Sequence, residues 1–305
     1  MPVKNKSNVL NAILTSAIVV FCFLVVLITF VDLPFIPTWQ EISGRQAKID
    51  KVSDCVIHLN VGEGDATLIK SNNRYALIDT GDGISANVIN KLKDYGVKGL
   101  DALILTHWHS DHIGAAAQIL DEFQVLNIVV TKLPDSTGEL YADAKEIVDK
   151  AESKNIKYSL ARQGLVINIG DFRLSVLYSD PEEDSDNNKA AIIMAKCHGF
   201  KFLFMADVDC ELEEKLISDG YIFDCDVIKI GHHGSKNSTS SNLLKEATPR
   251  YGVISVGANN VYNHPSGALL DQLYYADINV IRTDIHGDIT FTVDENDISV
   301  KNAVS

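Results

Sequence analysis

Three histidines and one aspartate lie within six consecutive positions of this chain: they are His107, His109, Asp111 and His112. They follow the apolar, strand-like segment Ala102–Leu105 and precede positions 114–117, which are typical of the start of a helix. Neutral imidazole and carboxylate suit zinc, manganese or iron, and no cysteine lies here to favour a thiolate site. A helix N-cap with solvent-facing histidines is the alternative, but Ser or Asn would serve a cap better. The spacing predicts a metal site, with two ligands at the strand end and two in the first helical turn.

A further acidic residue, Asp207, comes just after the apolar, strand-like run 202–205. The structural alternative is an N-cap for a helix predicted at 211–218, but Asp209 is better placed for that cap. We therefore treat Asp207 as a candidate ligand that emerges at a strand end, as His107 does.

Two adjacent histidines, His232 and His233, lie between Gly231 and Gly234 at the end of the apolar run 227–230. The glycines allow the backbone to bend sharply and bring the histidines close to the other candidates. Paired histidines between glycines have little packing value, which argues against a purely structural role. We predict that His233 is the ligand and that His232 faces the substrate, although the sequence alone also permits the reverse assignment.

The run 107–114 resembles the metal-binding motif of the metallo-β-lactamase superfamily. Five further motifs resemble, in the same order, those of the hydrolase domain of ComEC competence proteins: 60–66, 77–81, 205–207, 229–235 and 263–266. The chain has Glu63 where that family usually has Gln, and Met205-Ala206 where it usually has Thr-Gly. The resemblance does not include the long channel region of ComEC proteins, so a role in DNA uptake is not carried over.

The resemblance implies one or two divalent metal ions, with Zn or Mn favoured, and in the two-ion arrangement both ions share Asp207 and a hydroxide. His107 and His109 would bind one ion, and Asp111, His112 and His233 the other. Many related proteins supply another histidine to the first ion. The one histidine in that interval is His198, which a hairpin tip explains better, and the ComEC-type pattern has Asn there, matched by Asn187-Asn188. The third ligand of the first ion therefore stays open.

The resemblance also suggests groups that act on the substrate. His264 resembles a position that could hydrogen-bond a phosphate oxygen or protonate the leaving group, with an ordinary exposed histidine as the alternative. The catalytic candidates are Asp111, His232 and His264. We expect Asp79 to orient a ligand histidine rather than to bind metal.

The N-terminal run 10–31 carries no charged residue and is dominated by apolar side chains. At about 1.5 Å per residue it is long enough to cross the roughly 30 Å hydrocarbon core of a bilayer. A cleavable signal peptide is the alternative, but no small-x-small site follows the run. Lys4 and Lys6 precede the run and Arg45 is the first basic residue after it, which favours an extracytoplasmic catalytic domain. We predict a tail at 1–9, a transmembrane helix or signal anchor at 10–31, a linker at 32–52 and a hydrolase domain at 53–305.

Strand-like and helix-like runs alternate after the linker. In the first half of the domain, the residue pattern predicts strands at 55–59, 66–70, 75–79, 102–106 and 126–130, and helices at 85–95, 115–123 and 141–153. In the second half, the pattern predicts a hairpin at 165–177, strands at 190–196, 202–205, 227–230 and 253–256, and a helix at 211–218. Two strand-rich halves flanked by helices indicate an α/β (α+β) fold, and the resemblance implies a four-layer αββα sandwich.

The balance of charged residues limits which binding partners we expect. Lys and Arg number 27 against 41 Asp and Glu, giving a net charge of −14 among 305 residues. We therefore do not expect a broad basic surface for nonspecific nucleic-acid binding, although bound cations would supply local positive charge for a nuclease. The cysteines outside 10–31 lie in or beside apolar runs, which indicates buried thiols rather than disulfides.

These features predict a membrane-anchored, metal-dependent hydrolase, and favour a phosphodiesterase, in one version a nuclease, that uses a metal-activated hydroxide. Two alternatives stay open: an esterase of phosphorylcholine-decorated envelope polymers, and a non-catalytic membrane-tethered binding module. The predicted partners are the membrane, through 10–31, and a phosphodiester substrate, and no specific protein partner is evident.

Overall fold

The computed structural model describes residues 53–84, 88–134 and 139–302 of the chain. The predicted tail, membrane helix at 10–31 and linker lie outside these residues. Within the described ranges, no helix has both the length and the apolar character needed to cross a bilayer.

Fifteen strands build two large sheets in the described residues. The strands of the first sheet are β1 Asp54–His58, β2 Thr67–Ser71, β3 Arg74–Ile78, β5 Ala102–Leu105, β7 Asn127–Val130, β8 Lys157–Leu160, β16 Ile289–Val293 and β17 Ile298–Asn302. Those of the second are β9 Val166–Ile169, β10 Phe172–Tyr178, β11 Ile192–Cys197, β12 Phe200–Phe204, β13 Val227–Lys229, β14 Tyr251–Ile254 and β15 Asn279–Arg282. The short strands β4 Gly99–Leu100 and β6 Gln124–Val125 form a separate parallel pair.

The strand order explains where a site can form. The first sheet runs β17-β16-β1-β2-β3-β5-β7-β8, and the second runs β15-β14-β13-β12-β11-β10-β9. Strands β3, β5 and β7 are parallel in the first sheet, as are β12, β13 and β14 in the second. The carboxyl ends of parallel neighbours meet at one edge of a sheet, so the loops after these strands lie together.

Eight α-helices are found in the described residues: α1 Val88–Asp94, α2 Ser110–Ile113, α3 Ala116–Glu122, α4 Glu139–Ser153, α5 Cys210–Ser218, α6 Ser241–Ala247, α7 Gly267–Tyr275 and α8 Thr283–His286. The helix expected to carry Asp111 and His112 in its first turn is divided into α2 and α3. The break falls at Gly114, where an added Cβ would lie 2.2 Å from the carbonyl oxygen of Asp82. Close approach of these two loops therefore ends the first helical turn.

Alternating burial along the strands produces the layers. In β5, Ala102 and Ile104 lie in a core between the two sheets, while Leu103 lies in a second core with α1, α3 and α4. In β12, Phe202 faces the inter-sheet core, while Leu203 lies in a third core with α5, α6 and α7. Three cores separate four layers, so the α/β domain has the expected αββα arrangement.

The strands at 157–160, 279–282, 289–293 and 298–302 were not among the sequence predictions. The last two return to the first sheet, where β16 pairs with β1 in antiparallel register, for example Thr292 opposite Cys55. Pairing across this sequence separation depends on tertiary packing, which local periodicity does not record.

A buried carboxylate fixes the loop that follows the paired histidines. Glu213, on α5, is fully buried and accepts hydrogen bonds from the backbone N–H groups of Thr239 (2.7 Å) and Ser240 (2.6 Å). Burial raises the pKa of Glu213 to about 7, although these N–H groups act in the opposite direction. The carboxylate thus ties α5 to the start of α6.

We expect Glu213→Ala to lower the free energy of unfolding by roughly 2–4 kcal/mol, because two backbone N–H groups lose their partner. Urea denaturation of the purified chain measures this. The matched control is Glu214→Ala, which removes the neighbouring, exposed carboxylate and should change stability by less than about 0.5 kcal/mol. Equal unfolding midpoints for the two variants would contradict the role of Glu213.

Candidate metal centre

The candidate site residues lie in the loops that follow strands of both sheets. Asp79 follows β3, His107 follows β5, Asp207 follows β12, and His232 and His233 follow β13. Asp79, His232 and His233 have positive φ angles of 57°, 48° and 51°. Such left-handed conformations are uncommon for residues other than glycine, and they often occur at functional sites, where surrounding structure imposes them.

Four side chains form the first group: Asp111, His112, Asp207 and His233. The Nε2 atom of His233 is 3.0 Å from Asp111 Oδ2 and 3.8 Å from Asp207 Oδ2. The Nε2 atom of His112 is 3.3 Å from Asp207 Oδ1. The structure therefore brings together the side chains that the sequence analysis assigned to one ion.

The second group is His107, His109 and again Asp207. The Nε2 atom of His107 lies 3.9 Å from Asp207 Oδ2 and 3.1 Å from His109 Nδ1. Asp207 thus belongs to both groups, as expected for a carboxylate placed between two ions.

Buried polar atoms without partners show that a cation fits here. His112 Nε2 and Asp207 Oδ1 are inaccessible to solvent, and although they lie 3.3 Å apart neither has a partner in hydrogen-bond geometry. Leaving such atoms unpaired is costly, and a divalent cation would satisfy both. His112 donates from Nδ1 to Asp79 and His233 donates from Nδ1 to the Ser255 carbonyl, which leaves both Nε2 lone pairs directed at the site.

The electrostatics also favour a cation. Burial alone would lower the pKa of His112, but the carboxylates of Asp207 and Asp79 outweigh burial and hold it well above its usual value. Burial would also lower the pKa of His233, but the carboxylates of Asp207, Asp111 and Asp65 outweigh it and raise this pKa to about 9. The carboxylates that hold protons on these imidazoles would hold a metal ion in their place.

Asp79 has the contacts expected of a residue that orients a ligand. Its carboxylate accepts from the backbone N–H of Thr106 (2.8 Å), from the Thr106 hydroxyl (2.7 Å) and from His112 Nδ1 (2.9 Å). One carboxylate therefore joins the ends of β3 and β5 and fixes the ring of His112.

The two adjacent histidines differ in environment. His233 is buried within the first group, whereas the side chain of His232 is 32% exposed and its Nε2 lies 3.8 Å from Asp207 Oδ2. The ring of His264 lies 5.8 Å from that of His232 and 6.5 Å from that of His233. His233 therefore lies buried among the other candidate ligands, whereas His232 and His264 lie nearer the surface.

His198 lies away from the centre, in the turn before β12, whereas Asp207 follows the end of that strand. Its Nε2 is 2.7 Å from Asp54 Oδ2. Asn188 exchanges hydrogen bonds with Asp209, which caps α5, and so fixes the loop after Asp207. In this geometry neither His198 nor Asn188 supplies the missing third ligand, whereas the Oδ1 atom of Asn187 is buried without a hydrogen-bond partner.

Sequence reasoning missed several groups around the centre. Ser255 acts through its backbone carbonyl, which leaves no signal in residue type. Lys229 is buried and pairs with Asp65 at 2.9 Å, close behind His233. Its position in an apolar strand run was a signal, since lysine is almost never fully buried unless paired.

Comparison with known proteins agrees with this geometry. The family described as "Metallo-beta-lactamase superfamily" matches residues 59–258. ComE operon protein 3 of Bacillus subtilis is 30% identical over 253 residues, covering 76% of this chain and 32% of that protein. Competence protein ComA of Neisseria gonorrhoeae is 30% identical over 254 residues, covering 82% of this chain and 34% of that protein. The chain spans about a third of the length of these relatives.

A solved structure shows the same fold. The metallo-beta-lactamase fold protein YhfI of Bacillus subtilis superposes with a TM-score of 0.51 at 13% sequence identity, covering 75% of this chain and 95% of that chain. The family match at 59–258 includes every candidate ligand from His107 to His233. The chain belongs to the metallo-β-lactamase superfamily.

Proposed function

We propose that this chain is a metal-dependent phosphodiesterase related to ComEC-type hydrolase domains. The observation that carries the proposal is the pair of His/Asp groups that share the buried Asp207. Two cations in such an arrangement would lower the pKa of a water molecule and stabilise negative charge on phosphate oxygens. The residues that would hold them are His107, His109, Asp111, His112, Asp207 and His233, and we propose Zn or Mn as the metal.

The protein's own groups at the opening would act on the substrate. Burial lowers the pKa of His264, and the nearby His233 and His232 act in the same direction. His264 is therefore neutral near pH 7, and we assign it a hydrogen bond to a phosphate oxygen rather than proton donation. Burial also lowers the pKa of His232, although Asp207 opposes this, and we assign it the same kind of contact.

The alternatives differ in substrate. An envelope phosphorylcholine-type esterase would use the same centre, and the net charge of −14 is compatible with a cationic headgroup. A non-catalytic binding module would not need two ligand groups around one carboxylate. The competence-related names of the curated relatives favour nucleic acid as the substrate. We further propose that residues 10–31 anchor the chain in the membrane with the hydrolase domain on the extracytoplasmic side.

The test of the proposed function is metal content together with hydrolysis by the purified full-length chain. Bis-p-nitrophenyl phosphate, single-stranded DNA and p-nitrophenyl phosphorylcholine are the substrates. We expect Asp207→Asn to bind less metal and to hydrolyse bis-p-nitrophenyl phosphate roughly 100-fold or more slowly, because one oxygen of the shared carboxylate is lost. Asp219→Asn, at an exposed position beyond α5, is the matched control.

The three substrates distinguish the nuclease, the envelope esterase and the non-catalytic binding module. Metal-dependent cleavage of DNA that is faster than that of the phosphorylcholine ester supports the nuclease version, and the reverse supports the envelope esterase. If the folded chain binds metal and cleaves none of the three, the phosphodiesterase proposal is wrong. A folded chain that binds no metal would support the binding module instead.

The paired histidines give a second prediction. We expect His233→Ala to lower both metal content and rate, because its buried Nε2 faces Asp111 and Asp207. His232→Ala should keep its metal and lose rate by roughly 100-fold, as when one hydrogen-bond donor to developing charge is removed. Mass-spectrometric metal analysis and steady-state rates measured on the same samples distinguish the two. Metal loss in His232→Ala with full metal in His233→Ala would reverse the assignment.

A further inference from the structure

Three rings form a column from the metal centre to solvent. The ring of His264 stacks on that of His233 with an interplanar angle of 23°, and Tyr262 stacks on His264 at 5.7 Å and 24°. His233 is buried, His264 is half-buried, and Tyr262 is 65% exposed. Tyr262 therefore makes an offset contact with His264 and leaves most of its ring in solvent beside the site.

The loop that carries this tyrosine is held in place. Asn260 donates from Nδ2 to the carbonyls of Gly257 (3.1 Å) and His264 (2.7 Å) and accepts from the His264 N–H (2.9 Å). The Gly257 N–H donates to Glu63 Oε2 at 2.9 Å, which ties the loop to the segment before β2. The loop backbone is therefore preorganised, and a ligand that stacks on Tyr262 has little loop entropy to lose.

Tyr262 and the adjacent Val261, which is 84% exposed, place two apolar side chains next to each other beside His264. A solvent-facing aromatic and aliphatic pair beside a catalytic opening is typical of a surface that contacts the substrate. Flat rings stack well on a single aromatic face, as nucleobases do in proteins that bind single strands.

We propose that Tyr262 is a stacking platform for a nucleobase next to the scissile phosphodiester, which makes single-stranded nucleic acid the substrate class. This inference rests on the proposed function. Quaternary ammonium groups such as choline are recognised by cages of several aromatic rings. Tyr262 is the exposed ring that contacts His264, whereas Trp108 is buried at 6% exposure, so the described residues offer a single aromatic face here rather than a cage.

The test compares two labelled hexamers by fluorescence anisotropy with the purified full-length, metal-loaded chain. One is phosphorothioate-linked oligothymidylate, which resists cleavage, and the other is an abasic hexamer with the same linkages and charge. We expect the wild type to bind the thymidylate hexamer roughly 5-fold or more tightly than the abasic one. That ratio should fall to about one in Tyr262→Ala and be retained in Tyr262→Phe. Tyr274→Ala, which removes a tyrosine that is 78% exposed on α7, should keep the wild-type ratio.

Each outcome has a defined meaning. An equal affinity of the wild type for both hexamers, or an unchanged ratio in Tyr262→Ala, overturns the platform. A Tyr262→Ala variant that keeps its base preference but loses affinity for p-nitrophenyl phosphorylcholine points to a cation site and also overturns it. Binding does not require turnover, so a base preference without hydrolysis of any phosphodiester supports the platform and refutes the proposed function.

Discussion

A buried carboxylate among imidazoles is the interaction on which the rest of this domain depends. Asp207 is 1% exposed, and its oxygens lie between 3.3 and 3.9 Å from nitrogens of four histidines: His107, His112, His232 and His233. An isolated charge at that depth costs several kcal/mol, so it persists only where opposite charge surrounds it. Burial would raise the pKa of Asp207, but the neighbouring histidines hold it well below its usual value. The fold must therefore bring loops from two sheets to one point.

Buried hydrogen bonds and an ion pair around the centre hold these loops in position. Asp79 joins the ends of β3 and β5 and orients His112. Lys229 is 3% exposed, pairs with Asp65 and also donates to the Ile230 carbonyl at 2.9 Å. Removing one partner of such a buried pair leaves an uncompensated charge, which is strongly destabilising. The geometry of the ligands is thus a property of the sheet ends and their buried partners rather than of the ligands alone.

The residues around the centre differ in burial. Asp79 and the Ser255 carbonyl hold the buried His112 and His233, whereas His232, His264 and Tyr262 lie nearer the surface. This separation lets the groups that would hold metal stay fixed while the residues at the opening decide which substrate is accepted. The net charge of −14 describes the whole chain, whereas the field at the centre is set by the charged groups within it.

The sequence by itself determined the chemistry of the site and the strands that end at it. Spacing at 107–112 and the glycines around His232 and His233 are local signals, and the structure brings all six candidate ligands into two groups around Asp207. The sequence could not decide between His232 and His233, because both follow the same strand and only packing against Ser255 and Asp111 distinguishes them. The return of β16 to β1, the break at Gly114 and the column that ends at Tyr262 likewise depend on contacts between distant segments. Residue type and spacing record which groups are available, whereas their distances are decided by the packing of the two sheets.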